Sequence, residues 1–228
     1  MDTIRNTKKR AWLAIGVIFL ILIADQVLKI WVKSNFYLGE SLTIFSWFKL
    51  VFIQNNGMAF GWEIGSKLLL TVLRIVTVAF LIFYIARIYN RREASTGYIV
   101  CLALIIAGAA GNILDCLFYG LIFNNPMPPY VASLFPTGGG YGSLFHGLVV
   151  DMFYFPLCEW NWPEWMPWIG GEHFIFFRPV FNLADAAITV GMAMLIFFYS
   201  GQISDVPWRK KSQLATDKEV DNSDISNN

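Results

Sequence analysis

The sequence is poor in the side chains that build metal sites, disulfide frameworks and nucleic-acid surfaces. It has two histidines and no His-Glu-x-x-His pattern, which argues against a zinc site. Its three cysteines form no Cys-x-x-Cys pair, and we interpret them as small packing residues. A formal charge of +1 provides no basic footprint for nucleic acid, and the Gly-x-Ser-x-Gly elbow of serine hydrolases does not occur. We therefore expect no metal, no cofactor and no nucleic-acid partner.

Charged residues are also scarce, at 14% of the chain, whereas 56% of the residues are hydrophobic and the mean hydropathy is +0.52. This composition predicts an all-α integral membrane protein. Because a bilayer needs about 20 apolar residues per helix, we predict four transmembrane helices, at residues 11–32, 68–88, 96–118 and 180–200. Residues 1–205 then form a single membrane domain, and residues 206–228 form a polar tail.

The segments between the predicted spans differ in character. Residues 35–66 mix aromatic, glycine and β-branched residues, and they predict a small β-sheet with strands at 41–45 and 48–53. Residues 121–178 form a long loop rich in proline, glycine and tryptophan. Basic residues cluster at the N-terminus, between spans two and three and after span four. The positive-inside rule therefore places both termini in the cytoplasm and both large segments outside the membrane.

Acidic residues in or beside apolar runs are the candidates for chemistry, because inserting an ionised side chain costs about 2.5–3.5 kcal/mol. Asp25 and Lys29 are spaced i, i+4 and predict a structural ion pair on one helix face. Asp115 stands at a helix end, where we interpret it as a structural cap. Asp151 and Asp185 remain as the preferred catalytic pair.

Two facing carboxylates can share one proton, because like charges about 3 Å apart cannot both ionise. One then acts as a base toward water while the other polarises a peptide carbonyl, which makes Asp151 and Asp185 an aspartyl-hydrolase hypothesis. The residues alone leave two alternatives open. One is a small proton- or cation-coupled membrane transporter that uses the acids as a relay. The other is a set of buried acids with a structural role.

Five short blocks of the sequence carry a family resemblance. They are Asp25-Gln26-Val27-Leu28-Lys29, Asn55-Asn56-Gly57-Met58-Ala59-Phe60-Gly61, Gly111-Asn112-Ile113-Leu114-Asp115, Val149-Val150-Asp151 and Arg178-Pro179-Val180-Phe181-Asn182-Leu183-Ala184-Asp185-Ala186-Ala187-Ile188. In this order they resemble blocks of the bacterial lipoprotein signal peptidases, the type II signal peptidases, and the last block is highly specific. The resemblance implies a four-span aspartic endopeptidase of the bacterial cytoplasmic (inner) membrane. Such an enzyme removes the signal peptide from a diacylglyceryl-modified prolipoprotein by cleaving before the lipid-bearing cysteine.

The resemblance also implies roles for individual residues. Asp151 and Asp185 match the catalytic pair, which we expect near the outer face of the membrane. The other matches are supporting positions: Asn112 and Asn182 near the pair, Asp115 as a structural acid, and Asp25, Lys29, Asn55 and Gly57 where the family holds the site or substrate. The implied partners are the lipid-modified prolipoprotein and membrane lipid, and we expect a monomer.

Two departures from the family pattern follow the third span. The family usually has arginine where this chain has Cys116, and a thiol cannot form the bidentate hydrogen bonds of a guanidinium. We therefore expect Asp115 to use another partner, for which Arg178 is the candidate, and we expect Cys116→Arg to be tolerated. Residues 121–146 are extra relative to the family. We interpret them as an inserted external loop that serves as a lid, a partner site or a disordered decoration.

Overall fold

A computed structural model describes residues 2–56, 67–89, 91 and 94–204. Gly57, the rest of the predicted β region to residue 66, and the predicted tail, residues 206–228, lie outside the described residues. The elements in chain order are α1 (Asp2–Asn35), β1 (Ser41–Phe45), β2 (Phe48–Asn55), α2 (Lys67–Ile88), α3 (Thr96–Leu114), a π-helical turn (Asp115–Tyr119), α4 (Gly120–Ile122), β3 (Val149–Tyr154), β4 (Cys158–Asn161), β5 (His173–Phe176), β6 (Val180–Phe181), α5 (Leu183–Phe198) and α6 (Ser200–Ser204).

Three helices in the described part of the chain are long and apolar enough to cross a membrane, at Thr7–Asn35, Leu68–Ile88 and Thr96–Ile122. They correspond to the first three predicted spans. The fourth, predicted at 180–200, differs because its first two residues form β6 and α5 has only 16 residues. A helix of that length is about 24 Å long, which is less than the ~30 Å hydrocarbon core of a bilayer.

Helix α3 lies at the centre of the bundle, where it packs against α1, α2 and α5. Two glycines make this close approach possible. A Cβ atom on Gly111 would lie 2.7 Å from Oδ2 of Asp25, and a Cβ atom on Gly108 would collide with the carbonyl oxygen of Ala184. Small residues on α3 therefore bring α1 and the first turn of α5 against it.

One end of the bundle is defined by Arg10, and we call it the Arg10 end. Arg10 Nη1 donates to the carbonyl oxygens of Ala94 at 2.8 Å and Arg91 at 3.2 Å. The backbone N–H of Ser95, the N-cap of α3, donates to Oε1 of Gln202 in α6 at 2.9 Å. The start of α1, the α2–α3 connection and α6 therefore meet here. The opposite end, where α1 leads into β1 and β6 leads into α5, is the sheet end.

The main sheet has four antiparallel strands in the order β1-β2-β3-β6. The strands predicted at 41–45 and 48–53 are present, and β2 continues to Asn55. Asp151 on β3 lies opposite Ile53 on β2, and Phe153 lies opposite Phe181 on β6. Strands β4 and β5 form a separate hairpin. The interpretation of residues 121–178 as one long loop is therefore wrong, because this region holds three short strands, β3, β4 and β5. β3 pairs with β2, which is distant in sequence, and β4 pairs with β5.

Residues 121–146, the inserted segment, pack against the end of α3. Three backbone bonds hold the segment, from Phe135 N to Ile122 O at 2.7 Å, Tyr141 N to Phe123 O at 2.9 Å and Gly142 N to Gly120 O at 2.8 Å. Its side chains join a buried cluster with α1 and the sheet, which includes Val32, Phe36, Phe52, Tyr119, Phe123, Ala132, Val150 and Met152. This packing excludes a disordered decoration.

Candidate active site

Polar side chains from five parts of the chain meet at the sheet end of the bundle. They are Asp25, Gln26 and Lys29 from α1, Asn55 from β2, Asn112 and Asp115 from the end of α3, Asp151 from β3, and Asn182 and Asp185 at the start of α5. Most of them are buried, so their polar atoms must find partners within the protein.

Asp151 stands between the buried residues Val150 and Met152 on β3 and is itself only 4% exposed. Its Oδ1 accepts a hydrogen bond from Asn182 Nδ2 at 2.7 Å, and its Oδ2 accepts one from Asn55 Nδ2. Burial raises the pKa of Asp151 to about 7, and the negative charge of Asp185 adds to this increase. The positive charge of Lys29 and the hydrogen bonds from the side-chain amides of Asn55 and Asn182 lower this pKa. The carboxyl group therefore holds a proton far above the usual range of aspartate.

Asp185 is placed by a capping box at the start of α5. Its backbone N–H donates to Oδ1 of the N-cap residue Asn182 at 2.9 Å, and its own Oδ2 accepts from the backbone N–H of Asn182 at 3.4 Å. Capping boxes satisfy the N–H groups that a helix start leaves without partners. The helix dipole also favours negative charge at this position. The sequence Asn182-Leu183-Ala184-Asp185 thus fixes both the helix start and the direction of the acid.

Two asparagines connect the acids. Asn112 Nδ2 donates to Asp185 Oδ1 at 2.8 Å, and Asn182 Nδ2 donates to Asp151. Asn182 Nδ2 also lies 3.2 Å from Asn112 Oδ1, which accepts a second bond from Lys29 Nζ at 2.9 Å. Because the Asn112 oxygen accepts from two donors, its amide nitrogen must face Asp185. A continuous path therefore runs from Asp151 through Asn182 and Asn112 to Asp185.

Lys29 holds the base of the site together. Its ammonium group lies 2.9 Å from Asp25 Oδ2 and 2.8 Å from Asp115 Oδ2, and all three side chains are buried. Asp25 Oδ1 accepts from the backbone N–H of Ala184 at 2.9 Å, and Asp115 Oδ2 accepts from the backbone N–H of Val150 at 3.4 Å. The ion pairs therefore connect α1 and α3 to the two backbone segments that carry Asp185 and Asp151.

The structure brings together every described residue that the sequence predicted for the site, except one. Arg178 forms no ion pair or side-chain hydrogen bond within the described ranges. Asp115 is paired instead with Lys29 and accepts a hydrogen bond from Gln26 Nε2 at 2.9 Å. The predicted Asp115–Arg178 pairing is thus wrong, because Lys29 on α1 forms the ion pair with the Asp115 carboxylate.

Sequence reasoning also missed Gln26. Its Nε2 bonds Asp115, and its Oε1 accepts from the hydroxyl of Tyr119 at 3.2 Å, so one side chain joins both ends of the π-helical turn to α1. Gln26 lies three positions before Lys29, and this i, i+3 spacing places the two side chains side by side on a helix. This spacing is the sequence feature that could have predicted Gln26 as a residue of the site.

Comparison with known proteins places this geometry in a family. Residues 17–200 match the family model described as signal peptidase (SPase) II. The chain is 50% identical over 189 residues to a lipoprotein signal peptidase of Porphyromonas gingivalis, which covers 83% of each protein. It is 36% identical over 218 residues to a lipoprotein signal peptidase of Amoebophilus asiaticus, with 93% of this chain and 88% of the relative covered.

A similar solved structure is described as a bacterial membrane enzyme determined by the in meso method at 2.3 Å resolution. The two folds superpose with a TM-score of 0.55 at 21% identity, over 85% of this chain and 90% of the other. This likeness supports a membrane-enzyme fold with several apolar helices and a small sheet. The family match and the similar relatives together show that the chain belongs to the signal peptidase II family of membrane proteases.

Proposed function

We propose that the protein removes the signal peptide from diacylglyceryl-modified prolipoproteins by cleaving before the lipidated cysteine. The observation that carries this proposal is the pair Asp151 and Asp185, joined through the side chains of Asn182 and Asn112. Similar proteins named lipoprotein signal peptidase support the substrate. A lipidated cysteine is held at the bilayer by about 0.8 kcal/mol per buried CH₂, so the protease must act at the membrane.

In this proposal the aspartate pair holds one proton and activates water. The raised pKa of Asp151, about 7, keeps a proton on the pair at neutral pH. The ionised member takes a proton from water as it attacks the peptide carbonyl, and the protonated member donates a hydrogen bond to the carbonyl oxygen. Asn55, Asn112 and Asn182 fix the carboxyl groups so that little reorganisation is needed during the reaction.

Cleavage assays with aspartate variants test this proposal. Wild-type protein in detergent should cleave a diacylglyceryl-modified prolipoprotein, whereas Asp151→Asn and Asp185→Asn should each lose on the order of a thousandfold or more of the rate. Both variants must first be shown to be folded, and Glu159→Gln, at an exposed acid on β4, is the control. Cleavage by both aspartate variants would place the catalytic acids elsewhere. No cleavage by the wild type would reject the substrate.

We further propose that α5 together with α6 provides the fourth crossing, with both termini in the cytoplasm and the sheet end on the outer face of the inner membrane. Two contacts at the Arg10 end support this topology, from Arg10 to Ala94 and from Ser95 to Gln202. They bring the start of α1, the α2–α3 connection and the end of α6 to one side. α5 then runs from the sheet end to the cytoplasmic side, within a single domain, residues 1–205.

Cysteine labelling tests the topology without added cysteines. Cys158 on β4 is exposed, whereas Cys101 and Cys116 are buried. A membrane-impermeant maleimide added from outside should label the wild type in intact spheroplasts but not Cys158→Ser. Labelling only after membrane permeabilisation would place the hairpin in the cytoplasm and reverse the topology.

The proposed partners are the prolipoprotein and the surrounding lipid. All the polar residues of the described site come from one chain, so a monomer holds the complete aspartate pair. Size measurement of the detergent-solubilised active protein tests this, and activity confined to a larger species would contradict it.

A further inference from the structure

We infer that Lys33 is a positioning residue for the aspartate pair, and that the inserted segment holds its ammonium group in an aromatic cage. The inference rests on the proposed function, because it concerns the same reaction. It assigns a role to a lysine outside the five sequence blocks and to the inserted segment, residues 121–146.

The cage is formed by three rings, one from β2 and two from the inserted segment. The Nζ atom of Lys33 lies 5.5 Å from the ring centroid of Phe52 on β2, 5.2 Å from that of Phe123 and 5.3 Å from that of Tyr141 in the inserted segment. Lys33 is 0% exposed, and its Nζ has no hydrogen-bond partner among the described residues. Aromatic faces attract a cation most strongly where water is excluded. The three rings therefore stabilise an ammonium group to which the described residues offer no hydrogen bond.

The position of Lys33 on α1 relates it to the acids of the site. Asp25, Lys29 and Lys33 are spaced at intervals of four residues, which places them along one face of the helix. Lys29 contacts two carboxylates, those of Asp25 and Asp115, and one ammonium group balances only one of them. Lys33 interacts electrostatically with Asp115. It therefore supplies the second positive charge of a buried group of two acids and two lysines.

The same cage is connected to β3, the strand that carries Asp151, and to its neighbour β2. The Tyr141 hydroxyl accepts a hydrogen bond from the backbone N–H of Leu148 at 2.6 Å, immediately before β3 begins. Phe52 belongs to β2, the strand whose Asn55 donates to Asp151. The ring of Tyr141 thus contacts Lys33, and its hydroxyl group fixes the start of β3, the strand that carries Asp151.

A purely structural role does not require a charge at this place. An apolar side chain of similar length would fill the cage without the cost of burying an ammonium group, and such replacements are often neutral or stabilising. The charge has a consequence for the aspartate pair, however. Without it, the buried acids beside Asp151 would carry an excess negative charge, and the pair would hold its proton to higher pH.

The experiment compares Lys33→Met, Lys33→Arg and the control Lys49→Met, which removes a lysine on β2 away from the cage. Prolipoprotein cleavage gives kcat and KM separately, and the melting temperature in detergent is followed from pH 4 to 9. The ionisable groups of the site and of the elements packed around Lys33 are Asp25, Lys29, Asp115, Tyr119, Tyr141, Asp151 and Asp185. Burial raises the pKa of Tyr141 to about 12, so this tyrosine stays neutral throughout the range.

We expect Lys33→Met to lower kcat by about tenfold with KM within about twofold, since a positioning residue acts on the chemical step. The midpoint at which the melting temperature changes with pH should move up by about one unit. Lys33→Arg keeps the charge and should retain kcat within about threefold of the wild type. A Lys33→Met protein with the wild-type kcat and pH midpoint would overturn the inference, and so would a change confined to KM.

Two variants of the cage keep the test decisive if Lys33→Met fails to fold. Tyr141→Phe retains the ring and loses only the hydroxyl, whereas Tyr141→Leu loses the ring face. Tyr141→Leu should lower kcat more than Tyr141→Phe, and equal activity of both with the wild type would overturn the role of the cage. The pH dependence of melting needs no substrate. Failure of the wild type to cleave prolipoprotein therefore rejects the proposed function, while an unchanged pH midpoint in Lys33→Met rejects the role of Lys33.

Discussion

The two ends of the helix bundle are both rich in polar contacts, but they use these contacts differently. At the Arg10 end, side chains bond the backbone at helix ends, as Arg10 does with two carbonyl groups and Gln202 with the N–H of Ser95. At the sheet end, some side chains also bond the backbone, but buried charged and amide side chains mainly bond one another, as in the path from Lys29 through Asn112 to Asp185. Backbone contacts stabilise a helix directly, whereas buried charges stabilise weakly and depend on every partner being present. The sheet end therefore provides positional order for chemistry more than it provides stability.

The largest expected loss of stability comes from removing Lys29, the central cation of the sheet end. Lys29→Met leaves Asp25 and Asp115 buried beside each other without their shared partner. We expect a loss of about 3–5 kcal/mol in the free energy of unfolding, measured by thermal or denaturant unfolding in detergent. Arg10→Met loses two hydrogen bonds to carbonyls and, within the part of the chain that the structure describes, leaves no carboxylate unpaired, so it should cost about 1–3 kcal/mol. Equal losses at the two ends would contradict the contrast.

Cys116→Arg tests how closely the sheet end is packed. Cys116 is fully buried in the π-helical turn, and its carbonyl oxygen accepts from Gly147 N at 2.9 Å. The sequence predicts that arginine is tolerated here, but this burial leads us to expect the opposite. Overpacking costs about 1–3 kcal/mol, and burying a further cation adds to that. Folded yield after membrane extraction measures the effect, with Cys158→Arg on the exposed hairpin as the matched control. Equal yields of the two variants would restore the first expectation.

Asp151→Asn separates activity from stability. The folded-state pKa of Asp151, about 7, lies above the ordinary value of 3.8, so the folded protein binds this proton more tightly than the unfolded chain. The free energy of unfolding therefore falls as pH rises from about 4 to 7, and the penalty is complete above pH 7. Asparagine cannot ionise. We expect Asp151→Asn to be inactive but more stable than the wild type by about 1–3 kcal/mol above pH 7, with the difference vanishing toward pH 4.

The pH dependence of melting, compared with that of the exposed-site variant Glu159→Gln, checks this prediction. If the melting temperatures of Asp151→Asn and the wild type differ by the same amount at every pH, ionisation of Asp151 does not cause the stability difference.

The smallest expected effect is at the Arg10 end. Ser95→Ala removes the side-chain cap that accepts from Tyr98 N at 3.1 Å. Loss of an N-cap costs about 0.5–2 kcal/mol, and the aspartate pair lies at the opposite end of the bundle. The melting temperature should fall by a few degrees while kcat for prolipoprotein cleavage stays unchanged, and Ser95→Asp, which retains a capping oxygen, should recover the stability. A loss of kcat in Ser95→Ala would show that the two ends are not independent.

Sequence patterns predicted the parts of this molecule that depend on neighbouring residues. Apolar length predicted four membrane helices, and three of them are long enough to cross a membrane. Residue composition predicted β1 and β2, and the i, i+4 spacing predicted the Asp25–Lys29 pair. The motif blocks predicted which acids meet. Strand β3 was missed because Val149–Tyr154 is a short apolar run whose strand character depends on pairing with β2, far away in the chain.

Lys33 illustrates what local reasoning cannot provide. A lysine in the last turn of an apolar helix is usually interpreted as a side chain that extends to the membrane surface. Here it is covered by rings from β2 and from the inserted segment, which no pattern within α1 indicates. Arg178 shows the reverse case. It was the expected partner of Asp115 by charge alone, but α1 places Lys29 in an ion pair with that carboxylate.

The π-helical turn at Asp115–Tyr119 determines where along this helix the chain can change in length without disturbing the site. A wide turn of this kind holds one residue more than the α-helix it interrupts, and Gln26 bonds the side chains at both of its ends. Deleting one residue of the turn would therefore restore a regular helix and leave the residues beyond it close to their present positions. Deleting one residue from the regular part of α3 would instead rotate everything beyond it by about 100°. Phe123 would then turn away from Lys33, and the two halves of the site would separate.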